Sequence, residues 1–171
     1  MILKENQYAN VCVRGLIIEN DELVITEWTD RVEGFLIGGR IEYGEPLAEA
    51  LVREIEEETH IQAEIVRLVY FSENIFTYHD GRQFHEYGWY FLVKAAQEIC
   101  PNGRILANPD DPKLQIRRVP LTAAGLSSVW PRFLRDYLPA DYAANFADCP
   151  RALHSNPADQ LTDYSHIIFG K

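Results

Sequence analysis

The sequence predicts an α/β fold of the α+β kind, in which a mixed sheet packs with a few helices. Runs of aliphatic and aromatic residues, typical of strands, recur between residues 8 and 121. One segment of mostly strong helix formers, residues 46–59, interrupts these runs. A length of 171 residues suits a single domain with a proper core.

Turn residues separate the predicted strands. Asn20-Asp21 and Asp80-Gly81 are hairpin signals, because these residue types adopt the backbone conformations that tight turns require. Residues 101–112, rich in Pro, Asn and Asp, are expected to form an irregular loop. The predicted strands cover residues 8–19, 23–28, 35–37, 64–72, 75–79, 83–94 and 116–121.

The segment 46–59 predicts an amphipathic helix. Pro46 suits its first turn, where a missing N–H would be unpaired in any case. Ala48, Leu51, Val52 and Ile55 share one side, which should face a core. Further helices are expected at 121–126 and 131–138, with weaker helical stretches at 142–147 and 158–164.

The C-terminal end of this helix carries three carboxylates on one strip, Glu54, Glu57 and Glu58. They repel one another and lie at the negative end of the helix dipole. Such a strip is ordinarily a solvated face. The alternative is a functional site with its own compensating charge, and clustered carboxylates suit hard divalent cations such as Mg²⁺ or Mn²⁺.

The spacing around this strip is specific. From Gly39, five residues lead to Glu45, and seven more lead to 53–54 (Arg-Glu). An aliphatic residue, 57–58 (Glu-Glu) and a second aliphatic residue follow. The pattern resembles the signature of the Nudix hydrolase family, and it departs from that signature only at His60, where the family has Gly.

His60 has a physical explanation as a helix stop. The family Gly lies just past the helix, where a left-handed residue ends it at little cost. Histidine tolerates positive φ better than most residues, so we expect a cost of about 1 kcal/mol. A role as a metal or phosphate ligand is the alternative, although hard Mg²⁺ does not favour imidazole.

The resemblance implies a Nudix-type α/β/α sandwich with a mixed sheet. It also implies a Mg²⁺- or Mn²⁺-dependent hydrolase that cleaves the pyrophosphate bond of a nucleoside diphosphate linked to another moiety. Such substrates include nucleoside triphosphates, ADP-ribose, nucleotide sugars and dinucleoside polyphosphates. The alternatives are a Nudix-like module that binds a nucleotide without turnover, and a structural or interaction protein.

The resemblance also assigns roles to residues of the motif. The implied catalytic residues are Arg53, Glu54 and Glu57. The implied metal ligands are the Gly39 carbonyl, Glu54, Glu57 and Glu58. Glu54 is a ligand or the general base, and Arg53 pairs with a nearby Glu or binds phosphate.

Outside the motif, the assignments of site residues rest on weaker sequence signals. Glu42, in the loop before the helix, is a candidate substrate contact, with a metal contact as the alternative. Tyr78 is a second candidate, because some dinucleoside polyphosphate hydrolases of the family carry a Tyr at this distance. Many members add a downstream acid, for which Glu86, Glu98 and Asp110 are candidates.

The composition of the chain limits the classes of partner that we expect it to bind. A net charge of −10 argues against non-specific binding to nucleic acid or to an anionic membrane. No apolar run is long enough to span a bilayer, and the N-terminus lacks the apolar core of a signal peptide. Three scattered cysteines predict neither a disulfide framework nor a zinc site. A cytoplasmic location is therefore expected, and the resemblance implies a small nucleotide as the substrate.

The chain is expected to comprise a Nudix hydrolase domain over residues 1–138 and a C-terminal extension over 139–171. The extension carries no motif and ends in an apolar His-Ile-Ile-Phe run. It is expected to pack on the domain or to contribute to a homodimer interface.

Overall fold

The computed structural model describes residues 1–156, 158 and 160–170. The first six elements are β1 (Ile2–Lys4), β2 (Gln7–Glu19), β3 (Glu22–Trp28), β4 (Gly34–Phe35), α1 (Leu47–Thr59) and β5 (Ala63–Thr77). The next four are β6 (Gln83–Ala95), β7 (Leu106–Ala107), β8 (Leu114–Pro120) and β9 (Val129–Trp130), with a 3₁₀ turn at Pro101–Gly103. The last four are α2 (Phe133–Ala143), β10 (Arg151–Ser155), β11 (Leu161–Asp163) and α3 (Ser165–Ile168).

Strand β2 joins the two parts of a mixed sheet. It pairs in parallel with β6 over residues 7–17 and antiparallel with β3 at Ile18 and Glu19. Beyond β6 the order is β5, β10 and β11, and beyond β3 it is β4 and β9. Strand β8 also pairs with β3, while β1 pairs with β2 and β7 with β8.

The two longer helices lie on opposite faces of the sheet. Leu16 and Ile17 are neighbours in β2, so their side chains point to opposite faces. Leu16 belongs to the apolar core that contains Phe133 of α2. Ile17 belongs to the core that contains Leu51 of α1. The predicted α/β/α arrangement with a mixed sheet is therefore confirmed.

Strand β5 corrects the prediction of two strands at 64–72 and 75–79, because it runs without a break to Thr77. Two polar residues, Glu73 and Asn74, separate the predicted strands and suggested that the strand ends there. In the structure Ser72 and Asn74 are buried, and their polar atoms bond each other. Asn74 also accepts a hydrogen bond from the Ser155 hydroxyl of β10 at 2.8 Å.

The predicted helix at 121–126 is wrong, since these residues form turns. Its hydrogen bonding includes one bond of α-helical spacing, from the Leu126 N–H to the Thr122 carbonyl. The Gly125 Cα lies so close to the chain that an added Cβ would be 2.3 Å from the Pro120 carbonyl oxygen. This fold-back is incompatible with a continuing helix. The helix predicted at 131–138 is observed, shifted to 133–143.

The C-terminal segment contributes strands where the sequence predicted weak helices. The stretch at 142–147 continues from the end of α2 only through Ala143 and then turns. The stretch at 158–164 contains β11, and its residue 159 lies outside the described residues. Strand β10 pairs in parallel with β5 over five residue pairs. The division of the chain at residue 138 stays a prediction, and α2 runs across that position.

Among the described residues, no helix combines the length and the apolar character needed to cross a bilayer. Within the described residues, Cys12, Cys100 and Cys149 are buried and form no disulfide.

Candidate active site

The segment that precedes α1 runs beside β2 and is fixed to it by backbone hydrogen bonds. The Val13 N–H donates to the Gly39 carbonyl at 2.9 Å, and the Gly15 N–H donates to the Ile37 carbonyl at 2.9 Å. Helix α1 then packs its apolar face over the same part of β2, where Ile55 lies against Gly15. This packing brings the C-terminal half of α1 over the Gly38–Gly39 backbone.

Glu58 is the buried carboxylate of the site. Its Oε1 accepts a hydrogen bond from the Gly38 N–H at 2.9 Å. Its Oε2 accepts from the Thr26 hydroxyl at 3.0 Å and from the Asn108 side-chain amide at 2.8 Å. Burial raises the pKa of the Glu58 carboxyl, and these donors partly oppose the rise. The three donors fix the orientation of the carboxylate.

Glu54 lies directly against Gly39. A Cβ added to Gly39 would be 2.4 Å from the Glu54 carboxyl atoms, so the missing side chain is what makes room for this carboxylate. Burial raises the pKa of the Glu54 carboxyl, while a hydrogen bond from Arg53 lowers it. A half-buried carboxyl with a raised pKa is suited to accepting a proton.

Arg53 links the remaining carboxylates. Its Nε and Nη2 bind the two oxygens of Glu45 at 2.8 and 3.0 Å, a bidentate pair. Its Nη1 donates to Glu54 at 3.0 Å and to Glu57 at 2.9 Å. Glu57 is the exposed member, with 49% of its side chain accessible. The guanidinium therefore supplies the positive charge that the acidic strip needs, as the predicted pairing with a nearby Glu requires.

Helix α1 ends as predicted. His60 has φ 58° and ψ 22°, the left-handed conformation, and its N–H bonds the Glu56 carbonyl. The conformational reason for the family Gly therefore applies to His60 as well.

A comparison with protein-family models matches residues 10–140 to the NUDIX domain. The chain belongs to the NUDIX family. Membership and the assembled motif together make it a Nudix hydrolase, which is the enzyme class that the sequence predicts. A search of curated proteins found no match.

Solved structures show the same fold at low identity. A NUDIX hydrolase from Nitrosomonas europaea is 16% identical, with a TM-score of 0.58, over 82% of this chain and 74% of that one. The E. coli ORF135 protein is 19% identical, with a TM-score of 0.51, over 85% and 99%. A UDP-X diphosphatase is 19% identical, with a TM-score of 0.51, over 81% and 64%. At these identities the likeness establishes the fold alone.

The Nudix motif accounts for most of the predicted site, but Tyr78 does not lie with it. Tyr78 occupies the β5–β6 turn, where its ring packs on His79 and Phe84. That hairpin meets β2 at Gln7, six positions before Val13. At roughly 3.3 Å per residue, Gln7 lies about 20 Å along β2 from Val13, the residue that bonds the Gly39 carbonyl. Glu42 does lie beside the motif, since its N–H donates to Glu45 at 3.1 Å.

The downstream acids differ in position. Glu86 projects beside Cys12 of β2, on the same sheet face as Arg14. Glu98 accepts a hydrogen bond from the Asn20 side chain near the β2–β3 turn. The backbone N–H of Asp110 donates to the Asn108 side chain, which places Asp110 in the loop that carries a Glu58 partner.

Sequence reasoning missed the residues that fix Glu58 in place. Thr26 lies in a strand that was predicted only for its apolar pattern. Asn108 lies in a loop whose Asn-Pro sequence signalled a turn and nothing more. The pattern of one chain carries no signal that these two donors meet a glutamate far away in sequence.

The residues present are compatible with a hard divalent cation. Within the described residues, no group of three His, Cys, Asp or Glu side chains already has metal-binding geometry. Glu54, Glu57 and Glu58 nevertheless offer an all-oxygen donor set, which Mg²⁺ prefers. Oε1 of Glu58 receives one described donor and retains a second acceptor position. The Gly39 carbonyl likewise has a second lone pair beyond its bond from Val13.

Proposed function

We propose that this Nudix hydrolase is a Mg²⁺- or Mn²⁺-dependent enzyme that cleaves the pyrophosphate bond of a nucleoside diphosphate linked to another moiety. One observation carries the proposal. Arg53 binds Glu45 of the preceding loop together with Glu54 and Glu57 of α1, on the same helix end as the buried Glu58. Carboxylates at a helix C-terminus are unfavourable, Arg53 offsets only one of these negative charges, and such a local conflict is expected at a functional site.

Glu54, Glu57 and Glu58, with the Gly39 carbonyl, are the proposed ligands. When bound, the cation would neutralise phosphate charge and acidify a bound water. The chain's own residues supply orientation and proton transfer. Glu58 is held by three donors, and Arg53 restrains Glu54 and Glu57 through one nitrogen.

The alternative role for Glu54 is that of proton acceptor for the attacking water, in which case Glu57, Glu58 and the Gly39 carbonyl would hold the cation. The place of Glu54 against Gly39 restricts its movement, and its raised pKa brings its basicity closer to the operating pH. Arg53 acts chiefly by positioning carboxylates, since its donors are already directed at three of them. Glu42 remains a proposed substrate contact at the rim of this site.

The substrate panel follows from the shared chemistry. Nucleoside triphosphates, ADP-ribose, dinucleoside polyphosphates and nucleotide sugars all contain the required anhydride. The UDP-X diphosphatase that shares this fold justifies including UDP-linked compounds. Cytoplasmic location and homodimer formation stay predictions.

The deciding experiment incubates the purified protein with Mg²⁺ or Mn²⁺ and this panel, and resolves products by mass. The Glu57→Gln variant should lose about 10²-fold or more in rate, because it loses a charged ligand. Glu56→Gln is the matched control, since Glu56 is an exposed neighbour on the same helix turn. It should retain the native rate.

Failure of every panel member to react would overturn the proposed hydrolysis. Tight nucleotide binding by calorimetry without product would then support the non-catalytic binding module.

A further inference from the structure

Arg14 is a half-buried cation that contacts the active-site loop, residues 36–41, and the Nudix motif does not include it. It lies in β2 on the face that points away from α1. Its Nη1 donates to the Leu36 carbonyl at 3.2 Å and to the Gly38 carbonyl. The guanidinium carbon lies 5.5 Å from the centroid of the Phe35 ring. These contacts tie the cation to the backbone that leads into the motif.

Gly38 is held through both of its backbone polar groups, which belong to the two peptide units on either side of its Cα. Its carbonyl accepts from Arg14, and its N–H donates to the buried Glu58 carboxylate at 2.9 Å. Gly38 has φ 127°, and an added Cβ would lie 2.3 Å from the Val13 carbonyl oxygen. Little room exists for this glycine to shift, so its orientation is transmitted directly to Glu58.

The charge of Arg14 also acts on the proposed ligands. Its positive charge attracts both Glu54 and Glu58. Arg53 approaches Glu54 from the solvent side and does not bond Glu58 in the described structure. Arg14 therefore supplies a fixed positive charge near the buried carboxylate from the opposite side of the loop.

We propose that Arg14 is a positioning residue of the active site, which holds the backbone of Gly38 and thereby sets the orientation of Glu58 for cation binding. The role rests on the proposed function, although its main tests do not require turnover. Removing a residue that orients a ligand typically costs 10- to 100-fold in metal affinity or activity.

The test compares Arg14→Gln and Arg14→Lys with a matched control, Arg67→Gln. Arg67 makes the same kinds of contact away from the site. It donates to the carbonyls of Asn145 and Phe146 and lies 5.8 Å from the Phe146 ring centroid. Both glutamine variants thus lose two carbonyl contacts and a cation–π contact. Of the two arginines, only Arg14 contacts Gly38.

Three readouts are measured on each full-length variant. They are Mn²⁺ affinity by electron paramagnetic resonance, amide hydrogen exchange of peptides covering residues 36–41, and the melting temperature. Arg14→Gln should bind Mn²⁺ about 10- to 100-fold more weakly and exchange the Gly38 region faster. Arg14→Lys should be intermediate, since it keeps the charge but lacks the planar guanidinium that lies over the Phe35 ring. Arg67→Gln should change only the melting temperature.

Equal Mn²⁺ affinity in Arg14→Gln and Arg67→Gln, with unchanged exchange at 36–41, would overturn the proposal. If Arg14→Gln does not fold, Arg14→Lys decides the question by the same two readouts. If the native protein cleaves no nucleotide, the proposed hydrolysis fails on its own, while the Mn²⁺ and exchange comparisons still decide the role of Arg14.

Discussion

At the scale of single residues, Gly39 shows how an absent side chain can define a site. Its Cα faces the Glu54 carboxylate at a distance that leaves no space for a methyl group. The residue does not have a positive φ in this structure, so close approach is the reason for glycine here.

The Gly39→Ala variant should therefore displace Glu54. We expect hydrolysis to fall at least tenfold, because a displacement of about 1 Å at a reacting group can cost that much or more. Steady-state kinetics with the best panel substrate measures the effect. The control is Gly15→Ala, whose new Cβ would meet its neighbours at 3.4 Å or more. Equal activity in both variants would contradict the assignment of Glu54.

Glu27 gives a pH prediction outside the Nudix motif. A hydrogen bond from Arg117 holds the pKa of the Glu27 carboxyl below its ordinary value of 4.5. Its Oε1 lies 2.7 Å from the Arg117 Nε. Because the pKa is lower in the folded state, the ionised carboxyl stabilises the fold above pH 4.5 and loses this effect as pH falls through the lowered pKa.

Glu27→Gln should reduce the loss of stability on acidification. Urea unfolding between pH 6 and pH 3 should show a smaller decrease in unfolding free energy for the variant than for the native protein. The exposed Glu49→Gln variant controls for the change in net charge. Parallel curves for native protein and Glu27→Gln would refute the coupling.

At the scale of elements, local patterns predicted some parts well and others poorly. Helix α1 was predicted within one residue, because Pro46, helix formers and an apolar face all agree on it. Strand β3 was equally clear from its apolar run. Strands β10 and β11 were missed, since they are short and depend on pairing, β10 with β5 and β11 with β10, rather than on their own composition.

The end of α1 carries a measurable strain. His60 adopts φ 58°, which costs a residue with a Cβ about 1 kcal/mol relative to glycine. His60→Gly should therefore raise the unfolding free energy by up to about 1 kcal/mol, partly offset by the freer unfolded chain. Thermal unfolding should show an increase of roughly 2–4 °C.

His60→Ala is the control, because alanine retains the Cβ and the same conformational cost. A glycine variant no more stable than the alanine variant would mean that the φ value does not limit stability here.

At the scale of the whole molecule, the C-terminal segment is integrated into the fold by a buried ion pair. Asp141 of α2 accepts hydrogen bonds from Arg151 of β10 at 2.6 and 2.9 Å, and from the Tyr70 hydroxyl of β5 at 2.9 Å. Asp141 is only 4% exposed. Three elements therefore meet at one carboxylate.

Asp141→Ala should destabilise the protein by about 3 kcal/mol, because Arg151 loses its bidentate partner in a largely buried position. Chemical denaturation followed by circular dichroism measures this change. Asp136→Ala, in the exposed pair with Arg135 on the same helix, should cost less than about 1 kcal/mol. Similar losses in the two variants would argue against a special role for Asp141.

As with the fold, some residues of the candidate site could be predicted from the sequence and others could not. The sequence could predict the carboxylates of α1 because their spacing lies within one continuous stretch. It could not predict Thr26, Asn108 or Arg14, since each reaches the site only through strand pairing or loop packing. Tyr78 illustrates the converse, because a residue at a suggestive distance in sequence lies at the far end of a hairpin.

The pairing of β10 with β5 bears on how the chain is synthesised. Translation produces residues 63–77 well before residues 151–155, so β5 leaves the ribosome without the neighbour that covers its outer edge. An uncovered strand edge is a template for pairing with other chains. During that interval β6 is the only strand that pairs with β5 among the described residues, and the edge of β5 is covered once β10 has been synthesised.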